Sequence, residues 1–596
     1  MLPMPIIVQK FGGTSVADSQ KILGAARKAI RAQQQGNQVV MVVSAMGKNT
    51  DLLIDLANQI SDQPSAREMD MLLSTGEQVS VALMAMAIHS LGHQAVSLTG
   101  AQIGIRTDSS HTKARIKSIS TERMQRLLDE GNIVIAAGFQ GIDEDFNITT
   151  LGRGGSDTTA VALAAVLNAK SCEIYTDVDG VYTTDPRVLP EARRVSRISY
   201  DEMLELASLG AGVMHNRSIE FAKKFGVDIH VRSSLSDAPG SMIVARPESP
   251  DQPVCGAALL KDEARISILG VPDKPGSSLE IFARIAKRNI SVDMIVQNVG
   301  DKGKADVSFT VPKNELKATL EAVKEGAAVV GADRVTHDDK VAKVSVVGLG
   351  MARQTGVADR MFHALADAGV NIQMITTSEI KISVLVSRDE AQRALRAVHQ
   401  VFGLEREPAP ISAVEAEALS PVRDPADVIS HLRGVDMEEL TIDGISLDEG
   451  QARVSINGVP DTPGVAAKVF DEVAAAGIFV DMIVQSFNGH DGQASLSFTV
   501  PHAKLAASVE VANRLVKIFK CEGVTSSPDI AKLSVSGVGL RSHTGVAIRT
   551  FNALAKAGIN VEMINTSEVR LNVVVDGKRA KEALSLLQQA FADVLL

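Results

Sequence analysis

No tryptophan occurs among the 596 residues, and only three are tyrosine. Single-stranded nucleic acid is held on stacked aromatic rings, so that class of function is excluded. A basic footprint is missing too. The 61 Lys and Arg stand against 71 Asp and Glu, and a net charge of −10 is the wrong sign for a duplex or an anionic membrane surface. Only a local basic cleft for a small anion stays open. Cysteine is scarce: Cys172, Cys255 and Cys521 lie far apart, form no CxxC pattern and fit a reducing compartment. Long apolar runs are absent as well. The run Ile6-Ile7-Val8 is too short for a secretory signal, and its surroundings lack the Arg and Ser of a transit peptide. Nothing reaches the roughly 20 apolar residues that span a bilayer. These absences predict a cytoplasmic protein.

What is present is ordinary for a globular chain, 45% hydrophobic and 22% charged. The length excludes one compact core and suggests about four domains at ~150 residues each. Residues 1–245 alternate β-branched runs (IIVQKF, QVVMVVSA, IVIAAGFQG, SCEIYTD, VDIHVRSS) with Ala-rich amphipathic stretches such as 19–35 and 158–168. That alternation predicts an α/β domain on a mainly parallel sheet. The remainder repeats itself. GVPDKPGSSLEIFARIAKRNISVDMIVQN (270–298) returns 188 residues later as GVPDTPGVAAKVFDEVAAAGIFVDMIVQS (458–486), and a second pair of segments matches at an offset of 189. One double unit has been duplicated. Each quarter reads as a βαββαβ ferredoxin-like module of about 70 residues. The modules are expected at 254–340, 341–402, 441–528 and 529–596, with a linker at 403–440.

Four segments of the first domain carry chemistry. Lys10-Phe11-Gly12-Gly13-Thr14-Ser15 ends the first strand, and its glycines ahead of a helical pattern offer backbone N–H groups to a phosphate. It lacks Walker A spacing, and an ordinary strand–helix turn reads the same way. Leu151-Gly152-Arg153-Gly154-Gly155-Ser156-Asp157 crowds three glycines, an Arg and an acid at one helix start. Arg can clamp a carboxylate through two parallel bonds, whereas Ser156 or Asp157 alone is equally an N-cap. Tyr175–Arg187 brings three aspartates, the pair Thr183-Thr184 and an Arg after a strand: either a nucleotide and metal loop or a solvated one. Glu77, in Ser74-Thr75-Gly76-Glu77, is a single acid at the head of an apolar run, a position that reads as stabilising a helix N-terminus through the macrodipole.

Taken in order, KFGGTSV, VVSAMG, STGE, GFQG, LGRGGSDTTA and YTDVDGVYTTDPR resemble the aspartate kinases of the amino-acid kinase family over about the first 235 residues. The tail modules resemble ACT regulatory domains, with VPDxPG and VDMIVQ as signature. Members commonly carry one ACT pair; this chain carries two. The resemblance implies a three-layer amino-acid kinase sandwich that transfers the γ-phosphoryl group of ATP, with Mg²⁺, to the side-chain carboxylate of L-aspartate. That is the first step of lysine, threonine and methionine biosynthesis. It implies Lys10 and Asp157 as catalytic residues and Thr50, Glu77, Arg153 and Ser156 as aspartate ligands. ATP would lie against Lys10, Phe11, Gly12, Gly13, Ser15, Ser44, Thr176, Asp177, Tyr182, Arg187, Gly212 and Val213. No metal ligand is assigned.

Lysine, threonine or both are the implied effectors. Asp273, Gly276, Ser278 and Gln297 would contact them in the first module and Asp461, Gly464, Ala466 and Gln485 in the third. Asn371 with Ile372 and Asn560 with Val561 stand at the matching points of the partner modules, and side-by-side ACT pairing implies a homodimer. Asp and Pro-Gly are also plain turn formers, so a purely structural role competes at each of these positions. GLGMAR (348–353) and GVGLRS (537–542) imitate a dinucleotide fingerprint but lack its third glycine. His89 and His93 have metal-like spacing without a third ligand nearby. Two rivals remain at this point: a kinase for glutamate, N-acetylglutamate or a nucleotide, and a silent amino-acid sensor.

Overall fold

A computed structural model describes residues 4–210, 212–249, 252–288, 290–299, 303–354, 356–408, 436–487, 492–540 and 545–595. Most of the expected linker, 409–435, lies outside the described residues, as does Ser542 of GVGLRS.

The first domain is built on an eight-stranded sheet. Its order is Arg197–Ser199, Ser241–Val244, Ile229–Ser233, Ser171–Thr176, Ile6–Phe11, Gln38–Val43, Ile133–Ala137, Ala95–Leu98. The last six run parallel. Gln38–Val43 and Ile133–Ala137 are buried at every residue, as strands covered on both faces must be. Helices Ser19–Gln34 and Ala66–Ser90 cover one face, and Gly155–Val166, Tyr200–Ser208 and Asn216–Phe225 the other, giving three layers. A smaller sheet (Ile116–Ile119, Ile105–Thr107, Gln140–Ile142, Ile148–Thr150) flanks them. Among the described residues Ala66–Ser90 is the one helix long and apolar enough to cross a membrane, but half of its most apolar window is buried in this domain.

The tail holds four ferredoxin-like units, but they are not laid end to end. Strand Gly256–Pro272 serves two of them. Its second half pairs with Lys304–Pro312 and with the start of Arg334–Val347, closing the first module. Its first half, Gly256–Leu260, pairs with Lys343–Val347 and supplies the fourth strand of the second module. Thr441–Pro460 divides in the same way between the fourth and third modules. The first module is therefore inserted into the second, and the third into the fourth. A boundary at 254 or 441 assigns those leading strands to the wrong neighbour, because period-2 patterning shows a strand but not its partner.

The pairs then join within one chain. Edge strand Met374–Thr377 of the second module pairs with Ile483–Phe487 of the third. The first module's apolar core runs into the fourth's: Phe282 stands 6.2 Å from Phe551. Side-by-side association of modules thus occurs within one copy.

GLGMAR is a packing motif. A Cβ at Gly348 would lie 2.3 Å from Pro253 O, and one at Gly350 would lie 2.3 Å from Gln252 O. His89 bonds Ala95 O at 2.9 Å, and His93 faces Gln33 at 3.4 Å.

Candidate active site

The turns at the carboxyl ends of the parallel strands Ile6–Phe11 and Gln38–Val43, with the turn that follows Ile148–Thr150 of the small sheet, enclose one cleft at the end of the sheet where open α/β folds bind ligands. It measures about 330 Å³, and Lys10, Gly12, Gly13, Ser44, Thr50, Glu77, Arg153, Ser156 and Asp157 all line it. Residues up to 147 positions apart in sequence meet here.

Lys10 closes the first strand. Its Nζ lies 2.5 Å from Asp157 Oδ1, with both side chains only 11–12% exposed. The turn beyond it is packed backbone to backbone: a Cβ at Gly13 would lie 2.7 Å from Ala45 O. Gly13–Val16 is a single 3₁₀ turn rather than the start of an α-helix. The α-helix begins at Ser19, where Asp18 caps it by accepting from Lys21 N at 2.9 Å. Gly12 and Gly13 thus offer a turn, not a helix terminus, to an anion. Ser15 Oγ is buried without a hydrogen-bond partner.

Gly154 permits the second turn, with φ of +76° and His215 against its Cα; an added Cβ would meet the His215 Cβ at 2.4 Å. Helix Gly155–Val166 follows, and Ser156 and Asp157 sit in its first turn. Neither side chain caps it, which removes the N-cap alternative. Arg153 points from this turn into the cleft.

Glu77 departs from its sequence reading. It lies in the interior of helix Ala66–Ser90, not at its N-terminus, so the macrodipole cannot account for it. Only 4% exposed, it accepts from Ala45 N at 3.1 Å through Oε1, while Oε2 has no hydrogen-bond partner. Burial outweighs the Ala45 N–H and raises the carboxyl to about 7. Gly76 makes the approach possible, since a Cβ there would meet Ala45 Cβ at 2.9 Å.

The expected nucleotide residues are less converged. Phe11 is fully buried and stacks on Tyr175 with centroids 4.7 Å apart, so its ring does not line the cleft. Thr176 donates to Asp177 at 3.1 Å, and Tyr182 to Asp179 at 2.8 Å. Arg187 forks onto Asp185 at 2.9 and 3.0 Å, its side chain 88% exposed. They flank the cleft on the loop after Ser171–Thr176, while Gly212 and Val213 follow helix Tyr200–Ser208. None of the six is among the cleft's lining residues.

Asp70 went unnoticed in the sequence. It is fully buried and accepts from His111 (2.7 Å), Thr112 N (3.0 Å) and Thr150 Oγ1 (2.5 Å), tying the helix of Glu77 to the strand that leads into Arg153. A charge inside the apolar stretch MDMLL was its only signal. His215 and Arg217 were missed too, because their role depends on a helix crossing unrelated to the motif they serve.

In the tail, the expected effector residues meet across module interfaces. Asn560 Nδ2 donates to Asp273 Oδ1 at 2.7 Å, and Gln297 Nε2 to Val561 O at 2.7 Å. Asn371 and Gln485 make the same bonds to Asp461 and Ile372, at 2.9 Å each. The first module faces the fourth and the second faces the third. Gly276 and Gly464 open the adjoining helices with φ of +92° and +87°. Ser278 donates to Gln297 at 2.8 Å, a bond Ala466 cannot make to Gln485.

Residues 5–233 match the amino acid kinase family, and ACT domains match at 264–325, 344–402, 454–515 and 533–591. An aspartate kinase of Pseudomonas putida is 52% identical over 404 residues, 67% of this chain and 98% of that one. The chain belongs to the aspartate kinase family. Its phosphoryl donor is ATP. Among solved aspartate kinases, that of Synechocystis is 41% identical with a TM-score of 0.52, and 98% of each chain is covered. E. coli aspartokinase III, solved with aspartate and ADP, is 26% identical with a TM-score of 0.57 over 66% of this chain and 99% of that one.

Proposed function

We propose that the enzyme transfers the ATP γ-phosphoryl group to the side-chain carboxylate of L-aspartate, giving 4-phospho-L-aspartate, with feedback by lysine, threonine or both at the ACT interfaces. The convergence of Lys10, Glu77 and Arg153 in one cleft carries this. A carboxylate nucleophile with an ordinary pKa near ~3.9 needs no general base. The difficulty is to bring two anions together, so positioning and charge neutralisation dominate. Arg153 forks onto the aspartate α-carboxylate, and Thr50 and Ser156 border it. The unpartnered Oε2 of Glu77 receives the α-ammonium group. Lys10, oriented by Asp157, meets the charge of the transferring phosphoryl group, with the N–H groups of Gly12 and Gly13, Ser15 and Ser44 beside it. Thr176, Asp177, Tyr182 and Arg187 hold the nucleotide, with backbone help from Gly212 and Val213.

Mg²⁺ fits this donor set. It keeps most of its waters and phosphate oxygens and needs one or two carboxylates, and Asp157 is the acid beside Lys10. Bound there, it would neutralise charge on the phosphates.

For regulation, the Asp–Asn bonds at the two kinds of ACT interface are replaceable by an effector's ammonium group. E. coli aspartokinase III has also been solved with lysine and aspartate, which supports an amino-acid effector. The test traps the acyl phosphate with hydroxylamine, comparing aspartate, glutamate and N-acetylglutamate, each titrated with lysine and threonine singly and together. ATP-dependent hydroxamate from aspartate alone is expected, with inhibition. Turnover of another acceptor overturns the substrate; full activity with both effectors overturns the feedback.

A further inference from the structure

The segment that delivers the chain into the second regulatory pair first docks on the catalytic domain. Met437 N donates to Lys117 O at 3.1 Å and Glu438 N to Ile116 O at 3.3 Å, along the outer strand of the small sheet. Met437 is 3% exposed and shares a core with Ile116 and Leu151. Lys224 Nζ holds Glu439 O at 2.9 Å. These contacts set the Glu438 carboxylate, 8% exposed, against Arg217, which donates to its Oε2 from Nε (2.9 Å) and from Nη2.

The remaining hydrogens of that guanidinium are aimed elsewhere. Nη1 donates to Leu151 O at 2.5 Å and Nη2 to Ala114 O at 2.6 Å. Leu151 immediately precedes Gly152-Arg153, and Ala114 lies in the wall on which that turn rests. Gly152 has a φ of +76°, and a Cβ there would lie 2.9 Å from Thr112 O. One planar fork therefore ties three strands of chain together: the turn of Arg153, its supporting wall and the connector between the regulatory pairs.

We propose that Arg217 and Glu438 position the Gly152-Arg153 turn for aspartate, so that a residue of the inter-pair connector sets substrate affinity. This rests on Arg153 as the ligand of the substrate α-carboxylate. Glu438 fixes the plane of the guanidinium, and only in that plane do both carbonyls fall on N–H directions. Neither residue reaches the reacting atoms. They act through Arg153 and not through Lys10, so the aspartate side of the cleft responds and the ATP side does not. The P. putida relative, matched over 98% of its length by 404 residues, is too short to carry both regulatory pairs; the clamp uses a segment that the duplication introduced.

The full-length enzyme tests this through Glu438→Gln, Arg217→Ala, the double variant and Arg153→Ala as reference. Glu438→Gln should raise the aspartate KM about tenfold, with kcat and the ATP KM within twofold of the parent. Arg217→Ala should raise it further, and adding Glu438→Gln to it should change nothing more, since the carboxylate then has nothing to orient. If Arg217→Ala does not fold, Arg217→Lys takes its place with the same outcomes expected. Three results overturn the clamp: an unchanged aspartate KM in Glu438→Gln, parallel losses in both KM values, or additive effects in the double variant. An Arg153→Ala enzyme with a normal aspartate KM overturns the underlying substrate assignment instead.

Discussion

At the scale of single residues, Glu77 shows how a site can oppose stability. Its carboxyl titrates near 7 in the fold because burial penalises the charge, against an ordinary value of 4.5. A raised carboxyl is stabilising in its protonated form and becomes a liability as pH rises from 4.5 towards 7, where the unfolded chain ionises first. Above pH 7 the cost is roughly 3 kcal/mol. Glu77→Gln keeps an oxygen for Ala45 N and removes the charge. At pH 8 it should raise the melting temperature while raising the aspartate KM, and its kcat/KM should lack the decline below pH 7 that protonation of Glu77 predicts for the parent. A melting temperature that falls at pH 8 would contradict the burial account. Lys10 separates from Glu77 by kinetics. Lys10→Ala removes a preorganised charge at the transferring group, so kcat should fall ~10²–10³-fold; single-turnover rates check this, and an unchanged kcat would place Lys10 outside the reaction.

At the scale of elements, the two kinds of ACT interface differ by charge. Where the first and fourth modules meet, the Glu562 carboxyl is raised, by burial first and by the like charges of Asp273 and Asp576 besides, and Arg453 at 2.9 Å offsets only part of this. Where the second and third meet, the equivalent position is Gln373, neutral, accepting from Arg265 at 3.3 Å. The additional carboxylate predicts a preference for a cationic side chain at the first interface and for a neutral one at the second. Glu562→Gln should weaken lysine inhibition about tenfold, the scale of one unit charge several Å away at an effective dielectric near ~20, and leave threonine inhibition alone. Equal losses for both effectors would show that the charge does not discriminate. Strand and helix existence was legible in the sequence, because apolar period and glycine-marked turns are local: Ser277–Lys287 is helical over the whole expected span. Strand partnership was not. Nothing in GAALL distinguishes the first module from the second, since both offer an edge of the same patterning. The cleft was legible where motif and chemistry coincide, at Lys10 and Arg153. It was illegible where a residue acts by crossing, at Asp70, His215 and Arg217.

At the scale of the whole molecule, the regulatory modules satisfy one another in cis and grip the catalytic domain at a buried ionic node. Lys381 of the second module lies 2.8 Å from Glu205 of helix Tyr200–Ser208, with side chains 5% and 0% exposed. Glu205 also accepts from Glu568 N of the fourth module at 2.9 Å, and Glu568 accepts from Asn216 Nδ2 at 2.9 Å. Burial opposes the Lys381 charge, yet Glu205, Asp293 and Glu568 outweigh it and hold the ammonium above the ordinary lysine range. The node therefore joins the catalytic domain to one module from each interface, and any rotation of the second module against the fourth must deform it. Such a pair is weak evidence of stability in itself, because its desolvation offsets its attraction. Removing one partner is different. Lys381→Met strands the Glu205 carboxylate and should cost ~3–5 kcal/mol by denaturant unfolding. Adding Glu205→Leu replaces the pair by apolar contact and should restore most of that loss. If the node transmits effector binding, the double variant folds like the parent and yet requires more effector, because a greasy contact tolerates the rotation that an ion pair resists. A double variant inhibited at parental effector concentrations would remove the node from the coupling, and the 3.0 Å contact of Thr183, on the loop after Ser171–Thr176, with His399 would be the next place to look.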